Sequence, residues 1–168
     1  MGVEATPGTS LWSTFTAKAE LLGAAVLRTS SQETAASLLR EAAPGYLCTL
    51  SVAAQFPRVA VQHLTEAAPD VVAAAEFAVA ETGSVAINEP ADDRGKCFLA
   101  ERLWLLVPET ALVPTLDAGL QRIGELIRQG APHPVLMSGP SRTADIERVL
   151  TIGVHGPRAL VIVVVGGG

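Results

Sequence analysis

The chain has 168 residues, a net charge of −5, 49% hydrophobic side chains and a mean hydropathy of +0.36. That length fits one domain burying roughly two-thirds of its unfolded surface, and that hydrophobicity argues against a disordered chain. Twelve scattered basic residues against seventeen acidic ones, with only 4% aromatics, give neither the basic stripe of a nucleic-acid or membrane-surface binder nor platforms for stacking single strands.

In chain order, residues 1–10, with Pro7, Gly8 and two threonines, read as a flexible N-terminal arm, and residues 11–168 as a single α/β domain. Leu11 to Leu22 carries Phe15, Ala19 and Leu22 at helical spacing and stops at Gly23. Ala24 to Leu27 then reads as a short buried strand. Ser30-Ser31-Gln32-Glu33 has the S-x-x-E spacing of a capping box, in which a hydroxyl and a carboxylate satisfy free backbone donors at a helix start. The helix behind it carries Ala35, Leu38, Leu39 and Ala42 on one face and ends at Pro44-Gly45. Tyr46 to Val52 reads as a second strand, followed by a helical pattern through Val59, Ala60, His63 and Leu64. His63 there reads as a solvated or hydrogen-bonded surface histidine.

Two apolar segments, Phe77 to Ala80 and Val85 to Ile87, flank Glu81-Thr82-Gly83-Ser84, a hairpin pattern in which glycine supplies the positive φ. Glu89 to Lys96 is polar, contains Pro90 and Gly95, and reads as a mobile loop. Leu103 to Val107 is a strand ended by Pro108. Pro114-Thr115 opens an amphipathic helix with Leu116, Leu120, Ile123 and Ile127 at i, i+4, i+7 spacing, closed by Gly130. Val135 to Met137 and Leu160 to Val165 are the last strands. The alternation of helix and strand predicts a mainly parallel sheet covered by helices. No apolar run approaches the ~20 residues that span a bilayer. No basic-then-apolar leader pattern opens the chain, so a cytoplasmic location is expected. Cys48 and Cys97 belong to no CxxC or Cys/His cluster. They read as two reduced thiols, with no zinc or iron–sulfur ligand set in this chain.

Chemistry is concentrated in Ser138 to Pro157. A strand enters a Gly139-Pro140 turn, and Ser141 or Thr143 is expected to cap a helix burying Ile146, Val149 and Leu150. Free N–H groups at such a start, with the hydroxyls of Ser138, Ser141 and Thr143 and the guanidinium of Arg142, would seat a carboxylate or phosphate. An ordinary capped turn is the alternative. Glu81, a carboxylate at a strand-ending turn beside glycine, is the best acid/base or nucleophile candidate, a solvated turn residue being the alternative. His155 before the last strand could face the Ser138 loop and donate to an anionic ligand or titrate near neutrality; a loop-stabilising hydrogen bond is the alternative. Asp145 and Glu147 would favour the helix dipole.

AETGS at Ala80 to Ser84, SGPSRTADIE at Ser138 to Glu147 and GVHGP at Gly153 to Pro157 together resemble the hallmark segments of the LUD-domain family, the lactate-utilisation protein C group. The resemblance extends through Phe15 to Gly23 and Leu103 to Ile123 and covers most of the chain. It implies a three-layer α/β/α fold with a mainly parallel sheet, similar to the NagB/RpiA/CoA-transferase-like group. It also implies a part in oxidising L-lactate to pyruvate beside two partner proteins, at least one carrying iron–sulfur clusters. On that view this chain is a ligand-binding or accessory subunit for a small anionic ligand, with no cofactor of its own. The alternative is a stand-alone enzyme for a phosphorylated or CoA-linked small molecule, with Glu81 as nucleophile or base. The family pattern joins Glu81, Thr82, Gly83 and Ser84 to Ser138, Gly139, Ser141, Arg142 and Thr143 as the walls of one site, closed by His155. Where the family usually has Gly and Thr ahead of the hairpin, this chain has Ala73-Ala74-Ala75 before Glu76.

Overall fold

The computed structural model describes residues 7–60, 68–144, 150–152 and 156–167. Helix α1 (Pro7–Leu21) begins at a proline, whose fixed φ suits a first helical turn, four residues ahead of the expected start and inside the stretch read as an arm. Strand β1 (Ala25–Thr29) leads to α2 (Gln32–Ala42). The capping box lies one residue later than the spacing predicted: Ser31 caps, and Thr34 rather than Glu33 completes it. The second strand is cut to β2 (Leu47–Cys48), because Thr49 to Gln55 turns into the short helix α3 (Leu50–Gln55). The helical reading of His63 and Leu64 falls outside the described residues.

The hairpin holds, as β3 (Asp70–Val79) and β4 (Ser84–Ile87). The segment read as a mobile loop is helix α4 (Ala91–Leu99), started by Pro90, with Asp92 and Asp93 in its first turn and Lys96 in its last, the charge order a helix dipole favours. Then come β5 (Arg102–Pro108), β6 (Leu112–Val113), α5 (Leu116–Arg128), β7 (Val135–Met137), β8 (Arg142–Ala144), β9 (Leu150–Ile152) and β10 (Ala159–Val165). Thr115 caps α5 by accepting from the Ala118 N–H at 3.2 Å. Only part of its apolar stripe, Ile123, faces the sheet. Leu120 and Ile127 are more than half exposed, and Gly119, Ile123 and Leu126 face the sheet.

The large sheet has the order β1-β10-β5-β3-β4-β7, with β2 and β6 also paired to β3. Strands β1, β10, β5, β3, β2 and β6 pair in parallel; β4 pairs antiparallel to β3, and β7 antiparallel to β4. The sheet is therefore mixed and mainly parallel, flanked by helices. Alternate strand residues divide between its faces. Val71, Ala73, Leu103, Leu105, Leu160 and Ile162 pack with Trp12, Phe15 and Ala19 of α1 and Cys97 of α4. Val72, Ala74, Trp104, Leu106, Val161 and Val163 pack with Ala35 and Leu39 of α2 and Val52 of α3. Near-continuous apolar strands such as β10 follow from this burial on both faces. Each fully buried Leu, Ile or Phe contributes about 1.5–3 kcal/mol.

At the sheet's amino-terminal edge, buried Asp70 accepts from Arg102 Nε, from Arg102 Nη2 at 3.1 Å and from Trp104 Nε1 at 2.9 Å. The Arg102 guanidinium also lies 5.0 Å from the Trp104 ring centroid. Burial pushes the Asp70 carboxyl up, but the hydrogen bonds from Arg102 and Trp104 and the guanidinium charge outweigh it and hold it below its usual value. A folded value below the unfolded one stabilises fully above the unfolded pKa of about 3.9, and that stability is lost as pH falls through the folded value. Urea unfolding at a series of acid pH values should show a steep loss in the native chain and a shallower one in Asp70→Asn. Equal slopes would show that Asp70 contributes nothing.

Candidate functional site

The site edge is built by strand direction. Because β4 reverses β3 and β7 reverses β4, β7 again runs with β3. The Glu81–Ser84 turn that ends β3 and the Ser138-Gly139 turn that ends β7 therefore emerge together, at the carboxyl edge where open α/β sheets bind ligands. The two turns touch: Thr82 Oγ1 donates to Ser84 Oγ at 2.8 Å, and Ser84 Oγ lies 2.7 Å from Ser138 Oγ. Ser84 is buried, Thr82 half-buried and Ser138 exposed, so the hydroxyl chain leads from core to solvent.

Glycine at these turns answers a packing demand. Gly83 has φ +69°, and a Cβ there would lie 2.5 Å from the Ala19 backbone nitrogen; Gly139 has φ +74°, and its Cβ would lie 2.7 Å from the Leu22 carbonyl oxygen. Both turns are pressed against the carboxyl end of α1 and the residues after it. Ser141 donates its N–H to the Pro157 carbonyl at 2.9 Å, and a Cβ on Gly156 would lie 3.1 Å from the Ser141 Cβ. The end of the third hallmark segment thus reaches the second.

Glu81 is exposed, and its Oε2 accepts the Leu116 N–H at 2.7 Å. Its carboxylate is engaged at the start of α5, beside the Thr115 cap, where the helix dipole favours a negative charge. The helix start expected after Ser138 is strand instead at Arg142–Ala144. Thr143, expected as a cap, and Leu150, expected on a helix, lie in strands: β8 and β9 pair antiparallel with Arg142 opposite Ile152 and Thr143 opposite Thr151. The β-branched residues of this stretch favour the hairpin over a helix. Asp145, Glu147 and His155 lie outside the described residues. What the structure brings together is Glu81, Thr82, Gly83, Ser84, Ser138, Gly139 and Ser141.

Neither cysteine is in a disulfide. Burial, with the negative charges of Glu89 and Asp93, pushes the Cys97 thiol up to about 12. Among the described residues no group of three His, Cys, Asp or Glu side chains is placed to hold a metal ion. No helix among them is long and apolar enough to cross a membrane. A cavity of about 420 Å³ lies away from the hydroxyl chain, at the amino-terminal side of β3, walled by Leu47, Val71, Asp92, Lys96 and Leu99. Three buried polar residues, Thr49, Glu89 and Asp93, were not anticipated. They come from segments read as strand and loop, and the available signal was Pro90 followed by two acids, a helix-start pattern.

Residues 54–165 match the LUD domain family model. A lactate utilization protein C from Deinococcus radiodurans is 36% identical over 98 residues, which cover 57% of this chain and 46% of that protein. One from Geobacillus thermodenitrificans is 34% identical over 99 residues, covering 56% and 41%. The chain spans less than half the length of these curated relatives. In fold, it is similar to the crystal structure of a DUF162 family protein from Deinococcus radiodurans, with a TM-score of 0.68 at 21% identity, covering 96% of this chain and 100% of that one. Well over half of its residues, including both touching turns, fall within the matched domain, and the chain belongs to the LUD domain family.

Proposed function

We propose that the chain is a ligand-binding, accessory component of a lactate-utilising system, seating a small hydroxy- or keto-carboxylate at the Ser84–Ser138 edge. Iron–sulfur partner proteins would carry the electrons. The observation behind this reading is the hydroxyl chain Thr82–Ser84–Ser138, with its 2.8 and 2.7 Å contacts, at the common carboxyl edge of β3 and β7. Hydroxyls in series suit a polar ligand of one or a few carboxyl oxygens. The names of the relatives point to lactate as its class. Two features support an accessory part over catalysis. The Glu81 carboxylate is occupied in holding α5. The sequence has two cysteines, and the Cys97 thiol, at about 12, is a poor source of a thiolate ligand. The exposure of Glu81 on this edge favours the second reading, a stand-alone enzyme for a phosphorylated or CoA-linked small molecule.

Calorimetric titration of the full chain with L-lactate and with pyruvate tests the seat. Ser138→Ala should weaken binding about 10- to 100-fold, the loss of one hydrogen bond to a charged group. No binding of either acid, or binding unchanged in Ser138→Ala, overturns the seat. Normal growth on L-lactate of a strain lacking this protein overturns the lactate assignment. Turnover of an acyl-CoA or sugar phosphate that is abolished in Glu81→Gln would establish the second reading instead.

A further inference from the structure

Strand β3 has a break on one side. β5 lies against its first half, so β2, paired with Val71 and Val72, stands on the other side; β4 stands on that same side, paired from Ala75 onward. β2 is parallel to β3 and β4 antiparallel, so their carboxyl ends point at each other across Ala73 and Ala74. Strand ends converging on a gap are where backbone groups lose their ladder partners. Here the Ala74 N–H, left without a strand, donates to Ser51 Oγ at 3.0 Å.

Three oxygens fill the gap. Thr49 Oγ1 lies 2.8 Å from Glu89 Oε1 and 2.9 Å from Ser51 Oγ, and Ser51 Oγ is also hydrogen-bonded to Glu89 Oε1. Glu89 is 1% exposed and Thr49 2%. All three sides of this triangle are at hydrogen-bond distance, and each bond needs a proton. The two hydroxyls carry one apiece, and the Ala74 N–H is spent on a fourth contact. The third side is filled when the carboxyl carries a proton of its own. The other carboxyl oxygen, Glu89 Oε2, is buried with no hydrogen-bond partner among the described residues. An ionised carboxylate would leave its charge on that bare oxygen, whereas a neutral acid leaves a far less costly carbonyl.

We propose that Glu89, Thr49 and Ser51 form a buried proton-binding site, a closed ring of three hydrogen bonds whose third proton belongs to Glu89. This is independent of the carboxylate seat at Ser84–Ser138 and uses none of its residues. The surrounding charges agree. Burial pushes the Glu89 carboxyl up, the Ser51 and Thr49 hydroxyls pull it down, and the charges of Asp93 on α4 and Glu76 on β3 push it up again, with a raised value as the result. The neighbouring cation, Lys96, is taken by Asp93 Oδ1 at 2.7 Å, and Asp93 Oδ2 accepts the Leu50 N–H at 2.8 Å. Cys97, also on α4, is a neutral thiol. The ring therefore fastens the start of α3 and the lead into α4 to β3, and its third side is lost when the proton leaves. A cavity of about 340 Å³ is walled by Cys48, Leu50, Pro90 and Asp93, among them the chain neighbours of Thr49 and Glu89.

The sign follows from linkage. A carboxyl raised in the folded chain binds its proton more tightly there than in the unfolded chain. Its contribution is complete below the unfolded value and is lost as pH rises through the folded one. Two measurements on the full chain test the site. Carbon-13 NMR titration of the assigned Glu89 carboxyl should give a midpoint above that of glutamate in an unstructured peptide; a midpoint at or below it overturns the proposal. Melting temperatures of the native chain and of Glu89→Gln, a neutral isostere, should diverge in favour of the variant as pH rises through that midpoint. A gap that stays constant, or that turns against the variant, overturns it. If Glu89→Gln does not fold, the titration of the unaltered chain decides alone.

Discussion

Phe15→Ala lowers the free energy of unfolding by about 3–5 kcal/mol, measured by urea denaturation followed by circular dichroism. Phe15 is fully buried and meets Trp12 edge to face, with ring centroids 5.3 Å apart at 84°. It belongs to the core cluster that joins α1 to β3, β5 and β10. Truncation removes the transfer energy of the ring and leaves a cavity between helix and sheet, whose backbones cannot close it. The effect reaches the candidate site, because the residues at the end of α1 back both Gly83 and Gly139. A variant that folds should therefore also weaken the carboxylate binding proposed for that edge. A loss below about 1 kcal/mol would show that α1 re-seats and that Phe15 does not anchor it.

Gly83→Ala costs about 2–5 kcal/mol, from two separable sources. A left-handed backbone costs a non-glycine residue about 1–2 kcal/mol. Overpacking adds about 1–3 kcal/mol, since the new methyl would meet α1 backbone: Ala19 N at 2.5 Å and the Lys18 carbonyl carbon at 2.7 Å. Gly130 separates the two terms. Its φ is +97°, but a Cβ there meets nothing within 4 Å, so Gly130→Ala should show the conformational cost alone. Equal losses in the two variants would mean that the turn simply moves away from α1. The small residue at this turn would then owe its place to something other than the close approach.

Those two effects mark how much was legible beforehand. The β3–β4 hairpin announced itself through a glycine turn between two apolar runs, and β5 and β10 through runs too apolar to be anything but doubly buried. The cap of α5 was equally plain in Pro114-Thr115. The family segments also pointed to turns that touch, since Ser84 Oγ lies 2.7 Å from Ser138 Oγ. Four features were hidden. Helix α4 buries only Asp93 and Cys97, so it has almost no apolar periodicity to show, and its Pro90 looks like a loop residue when it is a starter. The pairing of β8 with β9 follows a turn whose sequence reads as a helix start, and that pairing is a non-local fact. The Glu81 carboxylate capping α5 across 35 residues is likewise tertiary. The Glu89 ring depends on a break in a sheet, and nothing in the spacing of Thr49, Ser51 and Glu89 records which strands stop short.

Strand β10 has a consequence for synthesis on the ribosome. In the sheet order it stands between β1 and β5, with Ala25 aligned to Val161 and Arg102 to Ala159. β1 emerges some 130 residues before its neighbour in the sheet is made. Until then β1 has no place to dock, and the edge of β5 stays open with Leu103, Leu105 and Val107 beside it. Contacts so distant in sequence form late and slowly, and an open apolar edge invites pairing with other chains. In a chain of this topology the sheet closes by insertion of an inner strand and not by addition at a rim, so β10 decides whether β1 and β5 join one sheet.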